Sequence, residues 1–80
     1  MSRYEFLGKR ENLRLHRKAV LAEIQSHRES LLAACSIVND AEDLDGEYIA
    51  VLGVKLSEGL IELKGIDRKI EILTRELGDE

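Results

Sequence analysis

The chain has 80 residues, of which 44% are apolar and 35% charged, and it carries a formal net charge of -4 and no proline. This length allows one small domain and argues against most enzyme scaffolds. With only two tyrosines, one phenylalanine and no tryptophan, the chain has little material for an aromatic ligand cavity, so no small-molecule substrate is predicted.

In chain order, the first predicted element is a helix over about residues 9–38. This stretch contains neither glycine nor proline. Its apolar side chains recur at helical spacing: Leu13, Val20, Ile24, Leu31, Cys35 and Val38. Phe6, seven residues before Leu13, favours a helix that continues back across Gly8. Cys35 is expected to be a small, buried apolar residue on this face.

The acidic stretch NDAEDLDG, residues 39–46, predicts the turn that follows this helix. Its polar side chains can accept hydrogen bonds from the first free backbone N–H groups of the next helix. The candidates for this capping role are Asn39, Asp40 and Asp43. The acidic turn therefore has a structural explanation without a bound metal.

The second helix, over about residues 47–77, shows the clearest pattern in the chain. Apolar residues and one glycine alternate in steps of three and four, which is typical of a coiled-coil seam: Ile49, Leu52, Leu56, Gly59, Leu63, Ile66, Ile70, Leu73 and Leu77. Gly78 follows as the predicted left-handed cap. Two long helices joined by a short turn predict an all-α fold, an antiparallel helical hairpin in one domain, residues 1–80.

A second apolar face on this helix predicts a partner. Val54, Ile61 and Ile72 lie almost opposite the main seam at about 100° per residue. One neighbouring helix cannot cover both faces, so we expect the hairpin to self-associate into a four-helix bundle as a dimer, or into a tetramer. The residues expected in the helix–helix and chain–chain interfaces are Leu13, Val20, Ile24, Leu31, Ile49, Val54, Leu56, Ile61, Leu63, Ile66, Ile70, Ile72 and Leu73.

The second helix contains three internal glycines, Gly53, Gly59 and Gly65. Each lowers helix stability by roughly 0.5–1 kcal/mol relative to alanine, so a structural reason for them is expected. Gly59 lies in the seam, where it would let the other helix approach closely. Alternatively, Gly53, Gly59 and Gly65 are merely tolerated or mark a kink. A break near Gly53 would produce three helices instead of two.

Charge is divided unevenly along the chain, with an excess of four positive charges in residues 1–28 and of eight negative charges in residues 29–80. Arg10, Arg14 and Arg17 lie along one flank of the first helix and are candidates for contact with an anionic partner. The competing explanation is internal: an antiparallel hairpin would bring Arg17 near Asp67 and Arg14 near Glu71. The acidic net charge argues against nucleic acid as a partner of the whole chain.

No set of residues indicates catalysis, a cofactor or a metal site. Glu23 and His27 are one helical turn apart but supply only two ligands, so His27 is expected at the seam edge, bonded to Glu23 or to backbone. The amino terminus lacks an apolar signal segment, no apolar run is long enough for a membrane, and the single cysteine fits a reducing compartment. These features predict a cytoplasmic protein without a membrane partner.

The functional expectation is a non-enzymatic helical interaction or assembly module that binds itself through Leu/Ile seams. An adaptor or small chaperone for a second protein would use the same architecture. The alternative is a regulator that binds nucleic acid through the basic flank of the first helix.

Overall fold

The computed structural model describes residues 2–78, which form two long helices joined by a short loop. Helix α1 is Arg3–Ala34, a 3₁₀ helix spans Ala41–Asp43, and helix α2 is Gly46–Leu77. Each long helix has 32 residues, which corresponds to about 48 Å. They pack antiparallel along their length, as the bond from Arg3 Nη1 to the carbonyl oxygen of Leu77 shows (2.8 Å). The all-α hairpin is thus confirmed.

Helix α1 begins earlier and ends earlier than the apolar spacing indicates. Ser2 caps its amino terminus by accepting a hydrogen bond from the backbone N–H of Glu5 at 3.3 Å, and the helix runs through Gly8 without interruption. It ends at Ala34, so Cys35 is exposed instead of buried. Val38 is also outside the helix and 89% exposed. The residues after Ala34 form turns that reverse the chain, with the backbone N–H of Ser36 donating to the carbonyl oxygen of Ala33 at 3.3 Å and that of Asn39 to the carbonyl oxygen of Ser36 at 3.1 Å.

The residue that caps the amino terminus of α2 is Asp45, which is not one of the predicted candidates. Its Oδ1 accepts a hydrogen bond from the backbone N–H of Tyr48 at 3.1 Å. Asp40 precedes the 3₁₀ helix and forms no side-chain cap. A capping side chain must directly precede the first helical residue, and the chain uses residues 41–43 to reverse direction before α2 starts.

Helix α2 closely matches its predicted bounds. It is continuous through Gly53, so the alternative with three helices is wrong. Gly78 adopts the predicted left-handed conformation with φ of 76°, and its N–H caps the end of the helix by donating to the carbonyl oxygen of Arg75 at 3.0 Å.

The core is a single line of contact between the helices. Within residues 2–78, the buried apolar side chains are Val20, Leu52, Ile66 and Leu77. The rest of the predicted seam is half-buried: Leu13, Ile24, Leu31, Ile49, Leu56, Leu63, Ile70 and Leu73. Two helices can cover only one side of each other, which leaves the molecule thin, with extents of 58 × 18 × 14 Å.

The helices approach each other closely at Gly59. A Cβ atom there would lie 2.8 Å from Cγ1 of Ile24, closer than carbon atoms pack, whereas Gly53 and Gly65 have open space around the same position. The prediction of a close crossing is therefore confirmed for Gly59 and has no counterpart within the hairpin for the other two glycines.

Candidate interaction surface

Polar contacts between the helices fix their register. Arg17 Nε donates to Oδ1 of Asp67 at 2.5 Å, and its Nη2 donates to Oδ2 at 3.5 Å. The hydrogen bond and the carboxylate charge raise the pKa of the Arg17 guanidinium above its ordinary value. The predicted internal pair of Arg17 and Asp67 is thus confirmed.

The other two basic candidates have different surroundings. Arg10 is buried, and its Nη1 donates to Oγ1 of Thr74 at 3.5 Å. Arg14 remains exposed and pairs with Glu11 on its own helix at 3.8 Å. Glu71, the expected partner of Arg14, instead pairs with Arg75, one turn further along α2. Of the three arginines, Arg10 and Arg17 therefore bond to α2, and Arg14 pairs within α1.

One cross-helix contact was missed in the sequence. Nε2 of His16 lies 3.1 Å from Oε1 of Glu62. In the antiparallel register of the Arg17–Asp67 pair, His16 would lie opposite residue 68, so its contact with Glu62 crosses that register by about one and a half helical turns. Residue spacing around the turn therefore gave no signal for this contact.

A polar groove of about 460 Å³ lies between the helices beside Gly59. Glu23, His27, Lys55, Glu58 and Glu62 also line it. Nδ1 of His27 is buried and, among residues 2–78, forms no hydrogen bond, so that atom lacks the expected partner. Within the same range no three acidic, histidine or cysteine side chains are grouped closely enough to hold a metal ion.

Replacing His27 with leucine should stabilise the hairpin by about 1 kcal/mol, because a buried polar atom without a hydrogen bond opposes folding. The free energy of unfolding, measured by urea denaturation, tests this expectation. A leucine variant less stable than the parent chain would mean that the imidazole contributes a favourable contact. Ser26→Leu, an exposed change on the same helix, is the control for a general gain in helix propensity, since serine and histidine have similar propensities.

The side of α2 that faces away from α1 carries a second regular pattern. We use the name outer stripe for its residues, which also alternate in steps of three and four: Val51, Val54, Glu58, Ile61, Gly65, Arg68 and Ile72. All of them are exposed, and the four aliphatic side chains retain between 50% and 67% of their accessible surface. Val54, Ile61 and Ile72, predicted to lie between chains, therefore each retain at least half of their accessible surface in the single hairpin.

The outer stripe is bordered by shallow apolar grooves. One of about 380 Å³ is lined by Ala50, Val51, Val54 and the neighbouring charged side chains. Another of about 390 Å³, near the other end of α2, lies between the helices and is lined by Ile72 together with Asn12 and Leu13 of α1. Exposed apolar residues of α1, by contrast, lie on two different sides of that helix: Tyr4 and Leu15 on one, Leu21 and Leu32 on the other.

The candidate surface is thus an apolar stripe on one helix of a thin hairpin. Within residues 2–78, neither helix has a segment apolar enough to cross a membrane. Comparison of the chain with protein-family models, with curated proteins and with solved structures found no match.

Proposed function

We propose that this chain is a non-enzymatic assembly module in which the outer stripe packs against the outer stripe of a second copy, forming a four-helix bundle. The observation that carries the proposal is the exposure of Val54, Ile61 and Ile72 along a regular helical stripe. Regular spacing in steps of three and four is the pattern by which helices pack against helices.

The surface area of the single hairpin supports a partner. A compact chain of 9.1 kDa exposes roughly 4,900 Å², whereas this chain exposes 6136 Å². The excess of about 1,200 Å² is comparable to the roughly 800 Å² per partner that a standard protein interface buries. The radius of gyration agrees, at 17.8 Å against roughly 12 Å for a compact chain of this length.

The energetics favour the same arrangement. Covering a half-exposed valine or isoleucine contributes roughly 1 kcal/mol at about 25 cal/mol per Å². Three such residues in each copy therefore contribute several kcal/mol to a dimer. This is a large share of the stability that a small hairpin core can supply by itself.

An adaptor or chaperone for a different protein would use the same stripe. The nucleic-acid alternative has less support, because Arg10 and Arg17 contact α2. Self-association is the more economical proposal, since it needs no partner beyond the chain itself.

Replacing Ile61 with aspartate tests the proposal. The change would place an unpaired carboxylate inside the interface, so we expect the mass to fall to that of a single chain, as measured by light scattering on a size-exclusion column. Leu15→Asp is the matched control, because Leu15 on α1 is similarly exposed, 61% against 67% for Ile61. A single-chain mass for the parent protein, or an unchanged mass for Ile61→Asp, would contradict the proposal.

A further inference from the structure

We infer that the second copy lies antiparallel on α2, related by a twofold axis beside Leu63, with Glu58 of each chain paired with the partner's Arg68. This inference rests on the proposed self-association. It adds the orientation and the register of the second copy, and the ion pair that favours both. It follows from three features of the outer stripe.

The first feature is the symmetry of six of the seven stripe residues about Leu63; the seventh, Val51, has Arg75 as its counterpart twelve residues beyond Leu63. Val54 and Ile72 are each nine residues from Leu63, Glu58 and Arg68 are each five, and Ile61 and Gly65 are each two. Around a twofold axis at this point, each residue faces the other member of its pair on the partner chain. The facing pairs are then aliphatic with aliphatic, acid with base, and large with small.

The second feature is the charge of Glu58 and Arg68. Both side chains are exposed, and among residues 2–78 neither forms an ion pair within the hairpin. A parallel dimer would place Glu58 against the partner's Glu58 and Arg68 against the partner's Arg68. Opposed like charges disfavour that orientation, and the antiparallel one turns both contacts into attractions.

The third feature is Gly65. A Cβ atom at this position would have open space around it, so nothing within the hairpin requires a glycine, although glycine destabilises the helix. In the antiparallel dimer, Gly65 faces the partner's Ile61, whose exposed side chain then fits where Gly65 has none. The absence of a side chain at Gly65 therefore has a packing role only at the interface between the two chains.

A shift of the register by one heptad is the main competitor. It would place Glu58 opposite the partner's Arg75 and bring Glu62 near the partner's Lys69 on the flank of the interface. However, Val54 would then lie past the end of the partner's α2 and remain uncovered. Exposed flank ion pairs contribute little compared with burial of aliphatic side chains, so the register centred on Leu63 is favoured.

Charge reversal tests the orientation. Glu58→Arg and Arg68→Glu should each place like charges opposite each other twice per dimer and raise the dissociation constant by roughly tenfold or more. An equimolar mixture of the two single variants should recover the parent affinity, because both ion pairs form again in the mixed dimer. Sedimentation equilibrium of each variant and of the mixture measures this, and circular dichroism checks that the helices are intact.

Two further variants decide between registers. The chain carrying both Glu58→Arg and Arg68→Glu should again self-associate as the parent does. Mixing Glu58→Arg with Arg75→Glu is the matched control and should not recover affinity. If Glu58→Arg recovers affinity with Arg75→Glu and not with Arg68→Glu, the register centred on Leu63 is wrong and the one shifted by one heptad is correct. If the single variants keep the parent affinity, the proposed ion pair does not form.

The outcomes separate this inference from the function on which it rests. If the parent chain assembles and Ile61→Asp dissociates it, but the charge variants fail to complement, the outer stripe is the interface and the antiparallel register is wrong. A parent chain that stays single at all concentrations overturns both.

Discussion

Replacing Ile66 with aspartate should unfold the hairpin. Ile66 is 4% exposed and belongs to the line of core residues between the helices. An unpaired carboxylate at a buried position costs about 4 kcal/mol or more. The single core of a chain this small rarely supplies more than about 3–5 kcal/mol. The expected result is a loss of most of the helical circular dichroism signal at 25 °C.

Ile61→Asp provides the control for this experiment, because it introduces the same side chain five residues earlier on the same helix. Ile61 is on the outer stripe, so the carboxylate stays in water in the single chain. Helical signal should therefore persist in Ile61→Asp at low concentration even where the chain no longer assembles. If Ile66→Asp stays folded, the inner seam assigned to α2 is incorrect. If Ile61→Asp unfolds as completely, assembly is required for folding.

Replacing Gly59 with leucine should destabilise the hairpin by about 1–3 kcal/mol. Leucine is a better helix former than glycine by roughly 1 kcal/mol, yet its Cβ would lie 2.8 Å from Cγ1 of Ile24. The added side chain would push the helices apart along the single line of contact that forms the core. Urea denaturation, with the midpoint and the slope fitted separately, measures the loss.

Gly53→Leu is the matched control, since a Cβ at Gly53 meets no atom within 4 Å. This variant should be as stable as the parent chain or more so. The combination of Ile24→Ala with Gly59→Leu should recover part of the stability lost by Gly59→Leu alone, because the alanine removes the clashing carbon. Equal effects at Gly53 and Gly59 would show that the glycines act only through helix propensity.

Much of the fold was predictable because it depends on short-range spacing. The steps of three and four in residues 47–77 place the seam of α2, and Gly78 supplies the left-handed cap where that seam ends. The pair of Arg17 and Asp67 was predictable from the position of the turn alone. The outer stripe was predicted through Val54, Ile61 and Ile72, since opposite faces of one helix follow from its period.

The amino-acid sequence by itself determined that there are two amphipathic helices, that they reverse near an acidic turn, and that α2 has two apolar faces. The tertiary structure decided where α1 ends, because the residues that follow Ala34 form the turns that reverse the chain. Packing also decided which of the three glycines inside α2 lies close to the other helix, namely Gly59. It likewise decided that Arg10 is buried and that Cys35 is exposed. These features depend on the distance and register between two helices, which no spacing within either helix encodes.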